Sequence, residues 1–356
     1  MSEHFAIPVK LGKGYEVQIG GGILPQIGTR LKELLPKAKK VVVVSDGNVA
    51  PLYGSVVTDS LKGAEIGCHH FTIPAGEKSK NGKTYLELLE FLAGAELTRA
   101  DCLIALGGGV VGDLAGFAAA TYQRGVDYIQ LPTTLLSAVD ASVGGKTAID
   151  LEGGKNLAGA FHQPRLVLCD VDTLKTLPDG EIYNGCAEVI KYAMLDCPAL
   201  LEALKNHQIS GDWAEIISHC VTKKRDIVEA DEFDRKERQL LNLGHTLGHA
   251  IEQCSGYSVP HGFAVGAGLS IITRAAVAKN QCTPQTSADL DALLAHYQLP
   301  QETEFTTEEL LKNALKDKKR AGDSLTLVVP EALGKSRLLE IPAADLKNWI
   351  EMGRLP

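Results

Sequence analysis

Short apolar runs that stop abruptly at glycine or turn residues and give way to helical patterns constrain this chain more than any other feature. Residues 102–106 are apolar throughout, run into Gly107-Gly108-Gly109-Val110-Val111-Gly112, and are followed by a helical stretch at 113–120. An uninterrupted apolar run of that length, bounded by a turn signal, reads as a strand buried on both faces. The plan repeats at 41–44, before Ser45-Asp46-Gly47-Asn48, and at 128–131, before Pro132-Thr133-Thr134. Between these strands, residues 83–95 carry Leu86, Leu89 and Leu92 at helical spacing. Strands alternating with helices predict a parallel α/β sheet. Beyond Pro178 the glycine-ended runs mostly stop, and helical patterns follow at 181–195, 240–253 and 262–278, with one late strand expected at 324–329. The expectation is an α/β chain: a Rossmann-like parallel-sheet domain over 1–178, then a mainly α-helical domain over 179–356.

The length of 356 residues suits two domains. Lys and Arg number 36 against 44 Asp and Glu, a net charge of −8, so no global attraction to nucleic acid or anionic membrane is expected, and an anionic ligand must be met by local basic groups. The eight cysteines form no C-x-x-C pair, which suits reduced thiols rather than a disulfide framework or a zinc knuckle. The first residues lack the apolar core of a signal peptide, and no uninterrupted apolar run approaches the ~20 residues that span a bilayer. The cytoplasm is the expected compartment.

The string at 107–112 satisfies G-x-G-x-x-G and stands between strand and helix, where backbone N–H groups and a helix N-terminus hold a pyrophosphate. A tight turn that merely needs small residues would read the same way. The string does not open the first strand-helix unit, and the acidic turn at Asp46 precedes it, so the usual Rossmann register is not expected. Gly145-Lys146-Thr147 imitates the end of a P-loop, but Asp140 stands where a Walker glycine is required. What remains is Lys146 and Lys155, each after paired glycines, suited to meeting phosphate or carboxylate. No G-x-S-x-G elbow supports a hydrolase triad.

His245 and His249 lie four apart on one helical face, and His261 follows 12 residues later. No glutamate follows His245, so this is not the H-E-x-x-H of a zinc protease. The candidate carboxylate is Glu188, with Lys191 one turn away on the same face. Two histidines and a carboxylate around an open position make a catalytic divalent-metal site.

Five segments, GGGVVGDLAGFAAATYQRGV (107–126), LPTTLLSAVDASVGGKTAIDLEGGKNLAGAFHQP (131–164), AEVIKY (187–192), LLNLGHTLGHAIE (240–252) and DKK (317–319), are together highly specific. Through them the chain resembles the 3-dehydroquinate synthase family over nearly its whole length. The resemblance implies a Rossmann-like N-terminal domain and an α-helical C-terminal domain with the active site in the cleft between them, a bound NAD, and one zinc or cobalt ion. It implies Glu188, His245 and His261 as metal ligands, which moves His249 from the metal to the substrate phosphate. Asp140, Lys146, Lys191, Lys224, Arg238, Asn242 and one lysine of the DKK string, Lys318 or Lys319, would line the pocket of a sugar-phosphate substrate. Arg124 matches the arginine that family members lend to a neighbouring subunit, which implies a homodimer. For NAD the matching positions are Asp46, Asn48, Glu77, Lys80, Gly108, Gly109, Asp113, Thr133, Thr134, Lys146, Lys155 and Asn156. The implied reaction is conversion of 3-deoxy-D-arabino-heptulosonate 7-phosphate into 3-dehydroquinate and phosphate. Related cyclases of sedoheptulose 7-phosphate differ at the positions of Asn242, His249 and the DKK lysine, all kept here. Polyol dehydrogenases of the glycerol dehydrogenase type would share the fold but exchange NAD at each turnover.

Overall fold

A computed structural model describes residues 3–206, 208, 211–315 and 323–354. The chain divides into two compact units, Met1–Leu177 with Asp212–Phe233, and Pro178–Gly211 with Asp234–Pro356.

The first unit is built on seven strands: β1 (Phe5–Val9), β2 (Tyr15–Gly20), β3 (Lys40–Asp46), β4 (Gly67–Ile73), β5 (Cys102–Gly107), β6 (Asp127–Pro132) and, after a separate antiparallel hairpin of β7 (Lys146–Leu151) and β8 (Gly154–Phe161), β9 (Leu166–Asp170). Their order is β1-β2-β9-β6-β5-β3-β4, parallel except for the β1–β2 pair. The apolar run of β3 shows why both faces are covered. Val41 and Val43 pack with Leu31, Leu61 and Ile104 on one side, while Val42 and Val44 pack with Leu88, Leu92 and Leu114 on the other, as the period of two in a strand requires. The chain winds outward from β3 to β4 in one direction and from β5 through β6 to β9 in the other. The switch point between β3 and β5 is where open α/β sheets bind ligands. The glycine string follows β5 there, and the parallel register Ser45↔Leu106 brings the acidic turn after β3 alongside it. That juxtaposition replaces the usual sequence order of glycine loop and acidic residue.

The domain division expected from sequence requires one correction. Helix Ala214–Ala230 falls after 178, yet it belongs to the first unit, where it packs on β1, β2 and the π-helical turn Ser137–Ala141. It buries Ile217, Cys220, Val221 and Val228, and an amphipathic helix states that it has a partner without naming which one.

The second unit holds helices Asp179–Ala193, Pro198–Asn206, His245–Cys254, His261–Ala278, Pro284–His296, Thr307–Ala314 and Leu346–Arg354, with an antiparallel hairpin of β10 (Ser324–Ala332) and β11 (Lys335–Pro342). Helix His261–Ala278 is long and apolar enough to cross a membrane by length and composition. Its apolar surface is taken up by helices Asp179–Ala193, His245–Cys254, Pro284–His296 and Leu346–Arg354, which pack around it. The helical pattern expected over 240–253 is interrupted: residues Glu237–Asn242 form a 3-10 turn, Gly244 takes the left-handed conformation at φ 78°, and the α-helix begins at His245. That break puts His245 in the first turn of its helix.

Candidate metal centre and nucleotide loop

Three helices of the second unit bring Glu188, His245 and His261 together. Glu188 lies mid-helix and is 1 % exposed. Its Oε1 is 3.4 Å from Nε2 of His245 and 3.4 Å from Nε2 of His261, while Oε2 contacts the Lys191 ammonium. The Lys191–Glu188 pair is therefore a buried contact rather than a surface pair. Both ring orientations are set from behind. His245 Nδ1 faces the Leu243 carbonyl at 3.0 Å, and His261 Nδ1 faces Glu252 Oε2 at 3.2 Å. Imidazoles that donate from Nδ1 leave the Nε2 lone pair available as a ligand.

Packing at Gly262 makes the convergence possible. A Cβ there would lie 1.9 Å from the Asn184 carbonyl oxygen, and the Gly262 N–H donates to Asn184 Oδ1 at 2.6 Å. Only glycine lets the helix starting at His261 approach the Glu188 helix this closely.

The carboxylate and the rings act on one another's charge. Burial would raise the Glu188 carboxyl, but Lys191, then His245, and the contacts from both rings hold it well below the usual range. Burial likewise opposes charge on His261, yet Glu188 and Glu252 raise its pKa to about 10. Neither Glu188 oxygen has a hydrogen-bond partner of good geometry, a costly state for a buried carboxylate. Donors each about 2.0–2.1 Å from one tetrahedral ion are about 3.3–3.4 Å apart, the spacing of Glu188 Oε1 from both Nε2 atoms. The three residues fit a divalent metal.

His249 stands beside them, its ring 5.3 Å from that of His245 and 6.1 Å from that of His261. Surrounding protein, then the neighbouring His245 and His261, lower its pKa, although the residue reaches solvent. Spacing alone would have put His245 and His249 on one ion. The structure places His249, together with His245, Asn242, Gln239, Thr246 and Asn313, on the wall of a cavity of ≈ 190 Å³. Arg238, 2 % exposed, lies in the 3-10 turn just before that cavity's Gln239 and Asn242. Lys318 and Lys319 lie outside the described residues.

In the first unit the glycine string caps a helix running Gly109–Thr121, with Gly108 extended and no side chain at its N-terminus. Around it the structure gathers a charged cluster. Lys80, 5 % exposed, contacts Asp113 at 2.7 Å and Glu77 at 3.6 Å, and Lys155 reaches Glu77 at 3.7 Å. Burial opposes charge on Lys80, but Asp113 and Glu77 raise its pKa; burial raises that of Asp113 against Lys80. The 2.7 Å contact makes the pair an ion pair at neutral pH. Asp150, which sequence reasoning missed, joins through its Oδ1, which accepts the Asn156 N–H at 2.8 Å. No spacing rule marked it, since it is an ordinary acidic residue at a hairpin turn. Thr133 and Thr134 follow β6, where the Thr133 hydroxyl is buried without a partner and Thr134 Oγ1 accepts the Ser137 N–H at 3.1 Å. Asp46 ends β3 and holds the turn before helix Ala50–Gly63, Oδ1 accepting from the N–H groups of Asn48 (2.8 Å) and Val49 (3.1 Å). Asp140 lies in the π-helical turn with Oδ1 3.0 Å from Lys224 Nζ, so these two candidates meet. Lys146 opens β7. Arg124 is exposed on a turn where it and Gln123 both have positive φ, 66° and 48°.

A doubly wound α/β unit with a glycine strand-helix turn thus stands in one chain with a helical unit carrying a Glu-His-His centre. Residues 70–184 match the 3-dehydroquinate synthase N-terminal family and residues 185–320 the 3-dehydroquinate synthase C-terminal family. The chain is 44% identical to the 3-dehydroquinate synthase of Caulobacter vibrioides (strain NA1000 / CB15N), over 97% of each, and 41% identical to that of Enterococcus faecalis (strain ATCC 47077 / OG1RF), over 94% of this chain and 95% of the relative. Its fold matches that of a 2-deoxy-scyllo-inosose synthase complexed with carbaglucose-6-phosphate, NAD+ and Co2+, at a TM-score of 0.85 and 22% identity, covering 98% of this chain and 99% of the other. The chain belongs to the 3-dehydroquinate synthase family.

Proposed function

We propose that this protein converts 3-deoxy-D-arabino-heptulosonate 7-phosphate into 3-dehydroquinate and inorganic phosphate, as a carbon–oxygen lyase of the shikimate pathway. The observation that carries the reading is Glu188 Oε1, buried without a hydrogen bond and 3.4 Å from two imidazole nitrogens, in a chain whose family membership specifies the reaction. Zinc or cobalt held by Glu188, His245 and His261 would supply Lewis acidity toward substrate oxygens, and NAD held at the glycine string would supply a hydride acceptor that is restored within the turnover.

The chain's own residues bind and orient. The N-terminus of helix Gly109–Thr121 offers unpaired backbone N–H groups to a pyrophosphate. Asp46, Asn48, Glu77, Lys80, Gly108, Gly109, Asp113, Thr133, Thr134, Lys146, Lys155 and Asn156 are the proposed NAD contacts. Arg238, Lys191, Asn242 and His249 meet the anionic and hydroxyl groups of the substrate, with the guanidinium suited to a bidentate grip. Lys224 holds Asp140 in the π-helical turn, and both are further proposed substrate contacts. One lysine of the DKK string, Lys318 or Lys319, is another proposed contact. Ring closure needs the product held in a constrained pocket rather than a further functional group.

Arg124 supports a shared site in a homodimer: among the described residues it makes no ion pair, and it is exposed on a turn at positive φ. Mixed Arg124→Ala and Lys146→Ala subunits are expected to recover activity, each heterodimer keeping one intact site; no recovery after verified exchange removes the shared site. A cytoplasmic location suits the eight cysteines, all free thiols.

The test of the main reading is phosphate release with NAD present. Release that stops on chelation, returns with zinc or cobalt and leaves no net NADH supports it. A folded, metal-loaded, NAD-bound protein that releases no phosphate overturns the substrate.

A further inference from the structure

Glu252 belongs to no proposed ligand or substrate set, yet it is the second carboxylate at the metal centre. It sits on helix His245–Cys254, 4 % exposed, with Oε2 3.2 Å from Nδ1 of His261. His261 is the more exposed of the two histidine ligands, at 30 % against 12 % for His245. It is also the first residue of its own helix, where no preceding turn supports the ring. His245 is oriented by a backbone carbonyl two residues away, at Leu243. Among the described residues, His261 Nδ1 meets instead a side chain from another helix, Glu252.

We infer that Glu252 is a positioning residue: it accepts the Nδ1–H of His261, fixes the tautomer with the lone pair on Nε2, and turns that nitrogen toward Glu188. The inference rests on the metal reading above. Glu252 could instead be a ligand itself, since His249, Glu252 and His261 also lie within reach of one another. The geometry favours the positioning role. Glu252 faces Nδ1, the edge of the ring turned away from Nε2, and Nε2 is the atom that meets Glu188 at 3.4 Å. One neutral imidazole offers one lone pair, so His261 serves one cluster or the other. The Glu188 cluster is the one with a buried carboxylate oxygen lacking a hydrogen bond.

Carboxylate partners of ligand histidines raise the basicity of the coordinating nitrogen, and removing them typically weakens metal binding by about 10- to 100-fold. The experiment is zinc affinity of the metal-free holo-length chain by competition with a chromophoric chelator, together with the visible absorption of the cobalt form and circular dichroism. Glu252→Ala is expected to bind zinc about 10- to 100-fold more weakly with the fold retained and the cobalt bands shifted. Glu252→Gln keeps an acceptor for Nδ1–H but loses the charge, and is expected to fall between wild type and Glu252→Ala, with about a threefold or greater loss. His261→Ala provides the reference. If His261→Ala loses zinc while folded Glu252→Ala and Glu252→Gln bind it as tightly as wild type with unshifted cobalt bands, the positioning role is overturned and the metal centre stands. If His261→Ala also binds zinc as tightly as wild type, the metal reading itself falls. Should Glu252→Ala fail to fold, Glu252→Gln decides alone: wild-type affinity and spectrum overturn the inference, and weakened binding with shifted bands supports it. Cobalt bands that change through loss of a carboxylate oxygen ligand, while His261 stays bound, would make Glu252 a ligand and equally overturn the positioning role.

Discussion

Asp101 and Glu188 are both buried carboxylates, one in each unit, and their surroundings are opposite. Asp101, 4 % exposed, accepts from the N–H groups of Lys39 (3.0 Å), Lys40 (2.9 Å) and Thr98 (2.8 Å) and from the Thr98 hydroxyl (2.7 Å). Glu188 has no hydrogen bond of good geometry and is compensated by Lys191 and two imidazoles alone. A carboxylate saturated with backbone donors is a clamp for the chain: it ties the loop before β5 to the start of β3. One left unsaturated among neutralisable rings is suited to be a ligand. Burial does not separate the two roles; the inventory of donors does.

His261→Ala is the strongest way to break this distinction. It removes a partly exposed ring whose ion-pair contacts among the described residues are Glu188 and Glu252, so metal binding is expected to fail and activity to drop by about a thousandfold, the equivalent of about 4 kcal/mol of Lewis-acid stabilisation. The metal-free protein should unfold within a degree or two of wild type. Metal analysis and phosphate release on the purified variant, beside its thermal melt, check this. Full metal occupancy would show that the unsaturated carboxylate is not what holds the ion.

Gly262→Ala separates the helices instead of removing a ligand. The added methyl meets a backbone carbonyl, which cannot rotate away, so a cost of about 3 kcal/mol is expected, at the upper end for overpacking. Glu188 and His261 must then move apart, and zinc affinity should fall along with stability. Unchanged affinity in a destabilised variant would show that the centre tolerates helix displacement.

How much of this was readable from sequence follows from where the partners lie. The glycine string and the strands β3, β5 and β6 were legible because each signal is contiguous: apolar run, turn, helix. The strand β2 was not, since Tyr15–Gly20 is short and alternates, burying every second residue, and a single such hexamer carries little weight. Helix Ala214–Ala230 carried no signal that it clusters with the first unit, because amphipathicity does not identify the partner surface. At the metal centre, spacing within one helix suggested His245 with His249. Replacing His249 by His261 took the family resemblance, and the geometric reason, the close approach at Gly262, is visible only in three dimensions. Asp101 carried no sequence mark, and Glu252 none beyond closing the 240–252 segment, since Asp101 is met partly by the backbone N–H groups of Lys39 and Lys40 and Glu252 by a ring nitrogen from another helix.

Asp101→Asn gives the smallest effect and the sharpest contrast, because its pH dependence has a definite sign. Burial would raise the Asp101 carboxyl, but the Thr98 hydroxyl and the N–H groups of Lys39, Thr98 and Lys40 bring it below its usual value. A carboxyl with a depressed folded pKa stabilises the protein above its unfolded value of about 3.9, and that stabilisation is lost as pH falls through the folded value. The amide keeps one oxygen as acceptor but turns an NH2 toward backbone donors. At pH 7 a loss of about 2 kcal/mol is expected, with zinc affinity unchanged. Urea unfolding of wild type and Asp101→Asn from pH 7 to pH 3 should show the gap constant down to about pH 5 and closing below about pH 4. A gap that persists undiminished at pH 3 would mean that the clamp works through shape rather than charge, and that the contrast with Glu188 lies in hydrogen bonding alone.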